Sequence, residues 1–124
     1  MPNPYQNKII AVFGASQDSA KYGFKIFATL LQKGYRVVGI NPKGGEVNGQ
    51  PFYTSLADVP GNVDVAIMVI PPAALIGAVE ACKAKGVKEI WFQPGAQEDN
   101  AFVMATAVGM QAVNACFMAE NGLW

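Results

Sequence analysis

Three small residues, Gly14, Ala15 and Ser16, separate an apolar run from a segment with a helical pattern. Small side chains let a ligand approach the backbone, and the amides of such a loop and of the helix start carry partial positive charge. This pattern is typical of a phosphate-binding loop and indicates a nucleotide ligand. The strict G-x-G-x-x-G fingerprint of dinucleotide sites is absent, because the next glycine after Gly14 is Gly23. Another adenine nucleotide therefore has to be considered.

A second polar segment, Asn41-Pro42-Lys43, follows the second apolar run. NAD-binding domains normally place an Asp or Glu at the end of this strand, where the carboxylate holds the ribose hydroxyls. Asn41 stands at that position here, and Lys43 beside it favours an added phosphate over a bare ribose. Coenzyme A (CoA) carries a diphosphate and a ribose 3′-phosphate. Lys43, Lys21 and Lys25, together with helix amides, are the groups expected to compensate that charge.

Strands and helices must position these loops, and the hydrophobic pattern indicates where those elements lie. Strands are predicted at five apolar runs, residues 8–13, 36–40, 63–70, 89–92 and 111–114, with a short sixth candidate at 51–53. Helical patterns lie between most of them, at residues 22–33, from Pro71-Pro72 to 85, and at 97–107. Gly34, Gly86 and Gly109 are expected to end these helices.

Strands that are apolar on both faces and alternate with helices indicate a parallel sheet covered by helices on both sides. The sequence therefore predicts one α/β domain over residues 1–124, a three-layer α/β/α, Rossmann-like, doubly wound parallel sheet of five to six strands. The connection from residue 40 to residue 63 is predicted to be mostly loop, with three glycines and one short capped turn at residues 55–58. A long glycine-rich loop in a compact domain is often functional.

Ligands of doubly wound sheets bind beyond the carboxyl ends of the strands, near the point where the strand order reverses. Four loops follow strand ends here and are expected to form one contiguous rim. With the start of the first helix, they give the predicted nucleotide-binding residues: Gly14, Ala15, Ser16, Gln17, Lys21, Tyr22, Gly23, Asn41, Pro42, Lys43, Ile70, Pro71, Pro72, Gln93, Pro94 and Gly95.

Composition argues against several classes of function. Nine Lys and Arg residues balance nine Asp and Glu residues without a basic cluster, so nucleic-acid binding is not expected. Hydrophobic residues make up 52% of the chain, but they fall in short runs, none near the roughly 18 residues of a membrane span. With no signal pattern at the start, a cytoplasmic protein is predicted. The chain has no histidine, which excludes Ser/His and Cys/His catalysis and the usual zinc and iron sites.

Two cysteines, Cys82 and Cys116, fall in a predicted helix and at the end of a predicted strand. Their spacing does not match a metal site, so both are expected to be core thiols and no metal is predicted. A mixed disulfide between Cys116 and the CoA thiol would need both access and a site that favours the thiolate, and none is predicted.

Short motifs along the chain also follow an order and spacing that resemble one known family. They include Val12-Phe13-Gly14-Ala15-Ser16, Lys21-Tyr22-Gly23, Asn41-Pro42-Lys43, Pro71-Pro72, the segment from Gly86 to Gly95, and Cys116. Nearly from end to end, the chain resembles the stand-alone CoA-binding proteins related to the N-terminal domain of the succinyl-CoA synthetase alpha subunit. The resemblance implies a Rossmann-like CoA-binding fold. The chain ends before the second domain that supplies the phosphorylated histidine in the synthetases, so ligase activity is not expected.

The resemblance also implies how CoA lies on the fold. The loop from Gly14 to Gln17 would contact the diphosphate, and Lys43 would bind a phosphate. Residues 70–72 would line the adenine or pantetheine side, opposite residues 92–95. Pro94 departs from the family pattern and leaves the role of Gln93 open. The expected function is a small non-catalytic CoA- or acyl-CoA-binding protein that acts as a carrier, sensor or accessory module.

Two other functions remain open. An NAD(P)-binding redox-sensing or oxidoreductase module would use the same phosphate loop, although Asn41 and the lack of histidine are unfavourable to it. An interaction domain would use the apolar tail from Phe117-Met118 to Leu123-Trp124, which also indicates a homodimer. In that tail, Trp124 would cover an apolar edge or a subunit partner.

Some of the site residues also have purely structural interpretations. Gly14 and Gly23 are alternatively turn and packing glycines, and Ser16 alternatively caps the first helix. Tyr22 is expected to pack at the helix start, and Trp91 falls in a buried strand pattern and is expected in the core.

Overall fold

The computed structural model describes residues 3–124, and its elements follow the predicted alternation of strands and helices. The strands are β1 (Ile9–Phe13), β2 (Arg36–Ile40), β3 (Glu46–Val47), β4 (Gln50–Pro51), β5 (Val65–Met68), β6 (Glu89–Phe92) and β7 (Gln111–Asn114). The helices are α1 (Tyr22–Gln32), α2 (Leu75–Lys85), α3 (Asp99–Ala107) and α4 (Phe117–Glu120), with 3-10 turns at Leu56–Asp58 and Pro72–Ala74. Across residues 3–124, no helix has the length and hydropathy of a membrane span.

Five of the strands form one parallel sheet in the order β2-β1-β5-β6-β7. β1 pairs with β2 on one side and with β5 on the other, in registers that align Phe13 with Ile40 and with Met68. The chain therefore builds to one side of β1 and then crosses to the other side, which is the doubly wound arrangement. The predicted Rossmann-like α/β fold is confirmed, with five strands in the sheet.

Helices cover both faces of the sheet, because successive strand residues point to opposite sides. Ile10 of β1 belongs to a buried cluster with Phe27 of α1. The next residue, Ala11, belongs to a second buried cluster with Val79 of α2 and Ala105 of α3. The sheet is thus the middle layer of three, and the loops beyond its carboxyl edge lie between the two helical layers.

The connection between β2 and β5 differs from the predicted loop. It contains a hairpin in which β3 and β4 pair antiparallel, with Glu46 opposite Pro51. The sixth strand candidate at residues 51–53 does not join the main sheet as a strand, and Tyr53 makes only an isolated parallel bridge with Ile40. Each hairpin strand has two residues, too few for the alternation of hydrophobic residues that identifies a strand in a sequence.

The apolar tail packs against the sheet of its own chain. Phe117 and Met118 of α4 have no exposed surface, and Leu123 is 9% exposed. The Phe117 ring lies edge-on to that of Trp91, with ring centroids 5.2 Å apart, and Trp91 is buried as predicted. These three residues therefore belong to the core of their own chain and do not form the docking surface that the interaction-domain alternative would use. Of the four apolar residues that define the tail, Trp124 remains exposed, at 54%.

Candidate functional site

Gly14 is the first residue beyond β1, at the point where the strand order reverses. Its amide donates to the Ile40 carbonyl over 3.0 Å, and its φ of +91° lies in the left-handed region. A Cβ at this position would lie 2.1 Å from the Val69 carbonyl oxygen. Glycine is therefore required for the loops after β1, β2 and β5 to approach one another at this edge.

Gly23 places the start of α1 directly against this first loop. The residue is buried in the first turn of the helix, and a Cβ there would lie 1.9 Å from the Gly14 carbonyl oxygen. The contact brings the first amides of α1 next to residues 14–17, as in phosphate-binding loops. Both glycines thus have the packing role that the sequence left open, and this packing shapes the loop.

A polar cavity of about 440 Å³ lies beyond these glycines. Its walls come from the loops after β1 and β2 and from the residue before α1: Ser16, Gln17, Asp18, Lys21, Asn41, Lys43 and Gly44. Two lysines and one aspartate give the lining a net positive charge. The Asp18 carboxylate is also engaged within its own loop, since its Oδ1 accepts a hydrogen bond from the Ala20 amide over 3.0 Å. The cavity therefore favours an anionic group.

Hydrogen bonds of the chain itself hold the two loops around the polar cavity. Asn41 Nδ2 donates to the Ala15 carbonyl oxygen over 2.9 Å, and Asn41 Oδ1 accepts from the Lys43 amide over 2.9 Å. Gln17 Oε1 accepts from the Glu46 amide over 3.0 Å. An ionised aspartate at position 41 has no donor for the Ala15 carbonyl. The asparagine that distinguishes this strand end from an NAD site therefore also has a structural role.

The start of α1 has no side-chain cap within residues 3–124. Lys21 occupies the N-cap position, its side chain makes no capping hydrogen bond, and the first turn has no acidic residue. Ser16 does not cap the helix, because its Oγ accepts a hydrogen bond from the Asp18 amide over 3.0 Å. The positive end of the helix dipole therefore faces the loop without a carboxylate from the helix itself.

An apolar cavity of about 340 Å³ adjoins the polar cavity at Asn41. Four of the predicted site residues line it, namely Gly14, Asn41, Pro42 and Ile70. The other lining residues are not among the predicted site residues: Phe13, Ile40, Thr54, Ser55, Leu56, Ala74, Gly77, Ala78 and Ala81. A flat ring with a few polar edge atoms is the kind of group that a cavity with this lining accommodates.

Two smaller cavities lie beyond the ends of β5 and β6. The first, which we call the proline cavity, has a volume of about 200 Å³ and is lined by Val69, Ile70, Pro71, Pro94, Gly95 and Ala96. The second, which we call the aromatic cavity, has a volume of about 260 Å³ and is lined by Tyr22, Val69, Gln93, Pro94, Cys116 and Trp124. Because Val69 and Pro94 line both, the two cavities adjoin.

Not every candidate residue lines a cavity. Pro72 is exposed in its 3-10 turn and lines none of these four cavities. Lys25 places its Nζ 5.4 Å from the centre of the Tyr22 ring, in a cation–π contact. Tyr22 is 65% exposed and contacts Trp124, with ring centroids 6.3 Å apart, so the packed position predicted for it is wrong. The other predicted residues line a cavity or, as Ala15 and Gly23 do, build the loop.

The two thiols differ in access. Cys82 is fully buried in α2, which confirms its predicted place in the core, and burial raises its pKa to about 12. Cys116 is partly exposed and lines the aromatic cavity, and its Sγ accepts a hydrogen bond from the Ala119 amide over 3.5 Å. The prediction of a core thiol is therefore wrong for Cys116, which lies two positions beyond Asn114, the exposed last residue of β7.

We expect alkylating reagents to modify Cys116 and to spare Cys82 in the folded protein. A thiol with a pKa of about 12 is ionised to roughly one part in ten thousand at pH 8, and the thiolate is the reactive form. Peptide mass spectrometry after iodoacetamide treatment at pH 8 measures both positions. The Cys116→Ser variant should remain unmodified until denaturant is added, and equal labelling of both thiols in the folded protein would contradict the expectation.

Comparison with known proteins relates most of the chain to one family. The profile described as CoA binding domain matches residues 8–122. The alpha subunit of the ADP-forming acetate–CoA ligase I from Pyrococcus furiosus is 37% identical over 92 residues, which are 69% of this chain and 20% of that subunit. The chain thus spans about a fifth of the length of this relative.

Solved structures share the fold over nearly the whole chain. A conserved hypothetical protein from Pyrococcus furiosus has a TM-score of 0.84 and 35% identity, covering 91% of this chain and 98% of that one. A hypothetical protein from Pyrococcus horikoshii OT3 has a TM-score of 0.88 and 32% identity, covering 96% of this chain and 83% of that one. With the profile match from residue 8 to residue 122, these similarities show that the chain belongs to the CoA binding domain family.

Proposed function

We propose that this protein binds CoA or acyl-CoA in the cytoplasm and acts as a non-catalytic carrier, sensor or accessory module. The observation that carries the proposal is the adjacency of the polar and apolar cavities, which share Asn41 at the edge where the strand order reverses. A ligand that fills both has an anionic part beside a flat, weakly polar part. The 3′-phospho-ADP moiety of CoA has this form, and family membership supports CoA as the ligand.

The polar cavity is proposed to hold the phosphates, which carry roughly four negative charges. The diphosphate would lie against residues 14–17 and the start of α1, and the 3′-phosphate beside Lys43, with Lys21 adding a second cation. Charge-assisted hydrogen bonds contribute about 1.5–3 kcal/mol each, and micromolar affinity needs about 8 kcal/mol after association costs. Three or four such bonds, together with burial of the adenine ring, are proposed to supply this free energy.

The remainder of CoA is proposed to follow the carboxyl edge of the sheet. The adenine ring would occupy the apolar cavity between Pro42 and Ile70. The pantetheine arm would then cross the proline cavity, with Ile70-Pro71 on one side and Pro94-Gly95 on the other. These walls are largely apolar, which suits the methyl and methylene groups of the arm.

Ligase activity is not part of the proposal. That activity belongs, by its name, to a relative of which this chain spans about a fifth. Carriage or sensing needs only the cavities described above, and the chain has no histidine for acid–base or nucleophilic steps.

Calorimetric titration tests the proposal directly. We expect saturable binding of CoA with a micromolar or lower Kd, and weaker binding of NADH, because Asn41 replaces the acid that holds the ribose of NAD. The NAD(P)-binding module is the runner-up, and tighter binding of NADH or NADPH than of CoA would favour it. A folded sample, checked by circular dichroism, that takes up neither CoA nor acyl-CoA would overturn the proposal.

Native mass spectrometry of freshly purified protein provides an independent test. A mass increment equal to CoA or an acyl-CoA would identify the ligand without prior choice of a compound. The same spectrum counts subunits and so tests the predicted homodimer, for which the exposed Trp124 is the remaining candidate contact in the tail.

A further inference from the structure

The aromatic cavity is not needed for the nucleotide part of CoA, yet it adjoins the proline cavity through Val69 and Pro94. Its volume of about 260 Å³ lies below the roughly 300–1,000 Å³ of pockets that hold a whole small ligand. A space of this size suits one end of a larger ligand. A pantetheine arm in the proline cavity would direct its sulfur end toward this space.

Gln93 provides the polar group of this cavity. The residue is only 5% exposed, and its Oε1 accepts a hydrogen bond from the Phe117 amide over 2.7 Å. Because that amide can only donate, the bond fixes which way the side-chain amide of Gln93 points. The opposite group, Nε2, makes no hydrogen bond within residues 3–124. Every fully buried side-chain N or O atom in that range has a hydrogen-bond partner, so the unpartnered Nε2 must keep some accessible surface, and we infer that this surface faces the aromatic cavity that Gln93 lines.

We propose that the aromatic cavity takes the acyl group of a short-chain acyl-CoA, with Gln93 Nε2 donating to the thioester carbonyl oxygen. The inference rests on the proposed CoA site and adds the class of its cargo. A thioester carbonyl is an acceptor that matches this donor, whereas the thiol of free CoA is a weak acceptor and leaves the donor poorly satisfied. None of the six lining residues is charged, which favours an uncharged acyl chain over a dicarboxylic one.

A ligand series on the native protein tests the inference without any substitution. We expect propionyl-CoA to bind roughly 5- to 20-fold more tightly than CoA, from one hydrogen bond and the burial of a short alkyl chain. S-propyl-CoA is a thioether of the same chain length without the carbonyl. It should bind roughly 3- to 10-fold more weakly than propionyl-CoA. Succinyl-CoA should bind more weakly than propionyl-CoA because its carboxylate enters an uncharged cavity.

Gln93→Glu provides the matched variant, because it keeps an oxygen that accepts from the Phe117 amide and removes the donor. The ratio of the propionyl-CoA affinity to the CoA affinity should fall roughly 3- to 10-fold in this variant, which leaves the part of the gain that comes from burial of the alkyl chain. Gln111→Glu makes the same chemical change at an exposed position of β7 and should keep the ratio of the native protein. Thermal unfolding of both variants reports whether each remains folded.

The outcomes separate the inference from the proposed function. Saturable binding of CoA with equal affinities for CoA, propionyl-CoA and S-propyl-CoA would overturn the acyl site and leave CoA binding in place. Equal affinities for S-propyl-CoA and propionyl-CoA, both above that of CoA, would overturn the hydrogen bond from Gln93. No binding of any of these ligands by folded protein would overturn the proposed function itself.

Discussion

Gly23→Ala should destabilise the protein by roughly 2–4 kcal/mol, whereas Gly77→Ala should stabilise it by up to about 1 kcal/mol. Both glycines lie in helices. A Cβ at Gly23 would lie 1.9 Å from the backbone oxygen of Gly14, and backbone at such a contact has no flexible end that can move aside. A Cβ at Gly77 meets no atom within 4 Å, so alanine there gains only the lower entropy cost of helix formation.

Equilibrium denaturation in urea measures both effects on the free energy of unfolding. If the free energy of unfolding of Gly23→Ala instead lies within about 0.5 kcal/mol of the native value, the close contact between α1 and the first loop would be wrong. CoA affinity supplies a second readout. The shift of α1 needed to accept the methyl group should also displace residues 14–17, so the variant should bind CoA more weakly even under conditions where it is folded.

The double variant Lys21→Ala/Lys43→Ala should bind CoA roughly a hundredfold more weakly than the native protein, and each single variant roughly tenfold more weakly. Each lysine lines the polar cavity, and each is proposed to make a charge-assisted hydrogen bond to a phosphate. Because the two ammonium groups act on different phosphates, their effects on the free energy of binding should be nearly additive. Stability should change little, since both side chains are exposed.

Lys33→Ala is the matched control for these charge changes. Lys33 follows the far end of α1, about 16 Å from the helix start at 1.5 Å per residue. Its replacement should therefore leave the CoA affinity within about twofold of that of the native protein. Titration calorimetry at low and at moderate salt distinguishes the cases. A Lys43→Ala protein with native CoA affinity would place the 3′-phosphate away from this loop, and a control as weak as the double variant would indicate a general loss of charge steering.

The main sheet could be predicted because its strands are apolar on both faces and are separated by helices that end at glycines. Five runs with these properties suffice to predict the layers and the edge where the loops meet. The hairpin of β3 and β4 could not be predicted, because its strands are too short to show a periodicity. The buried position of Phe117 and Met118 could not be predicted either. It depends on the space that α1 and β6 leave free in the folded chain, and the local sequence pattern carries no information about that space.

The polar half of the candidate site could likewise be predicted. Loops that follow neighbouring parallel strands meet at the carboxyl edge of the sheet, and this brings Ser16 and Lys43 together independently of how their side chains pack. The apolar half could be predicted only in part. Thr54 and Ser55 enter it from the long connection after β2, whose path is set by tertiary contacts such as the bridge between Tyr53 and Ile40. The direction of the Gln93 Nε2 donor could not be predicted, because it is fixed by a hydrogen bond from Phe117, which is 24 positions away in the sequence.

Asn41 joins the loops after β1 and β2 through contacts of the chain alone, since it donates to Ala15 and accepts from Lys43. Loops held in this way would need no closing motion before the proposed nucleotide enters. Association would then be governed by diffusion and by the attraction of an anionic ligand to Lys21 and Lys43, and differences in affinity among ligands would fall mainly on how long each complex lasts. Occupancy would therefore follow a changing ligand concentration on the timescale of dissociation, a property suited to a sensor or a carrier.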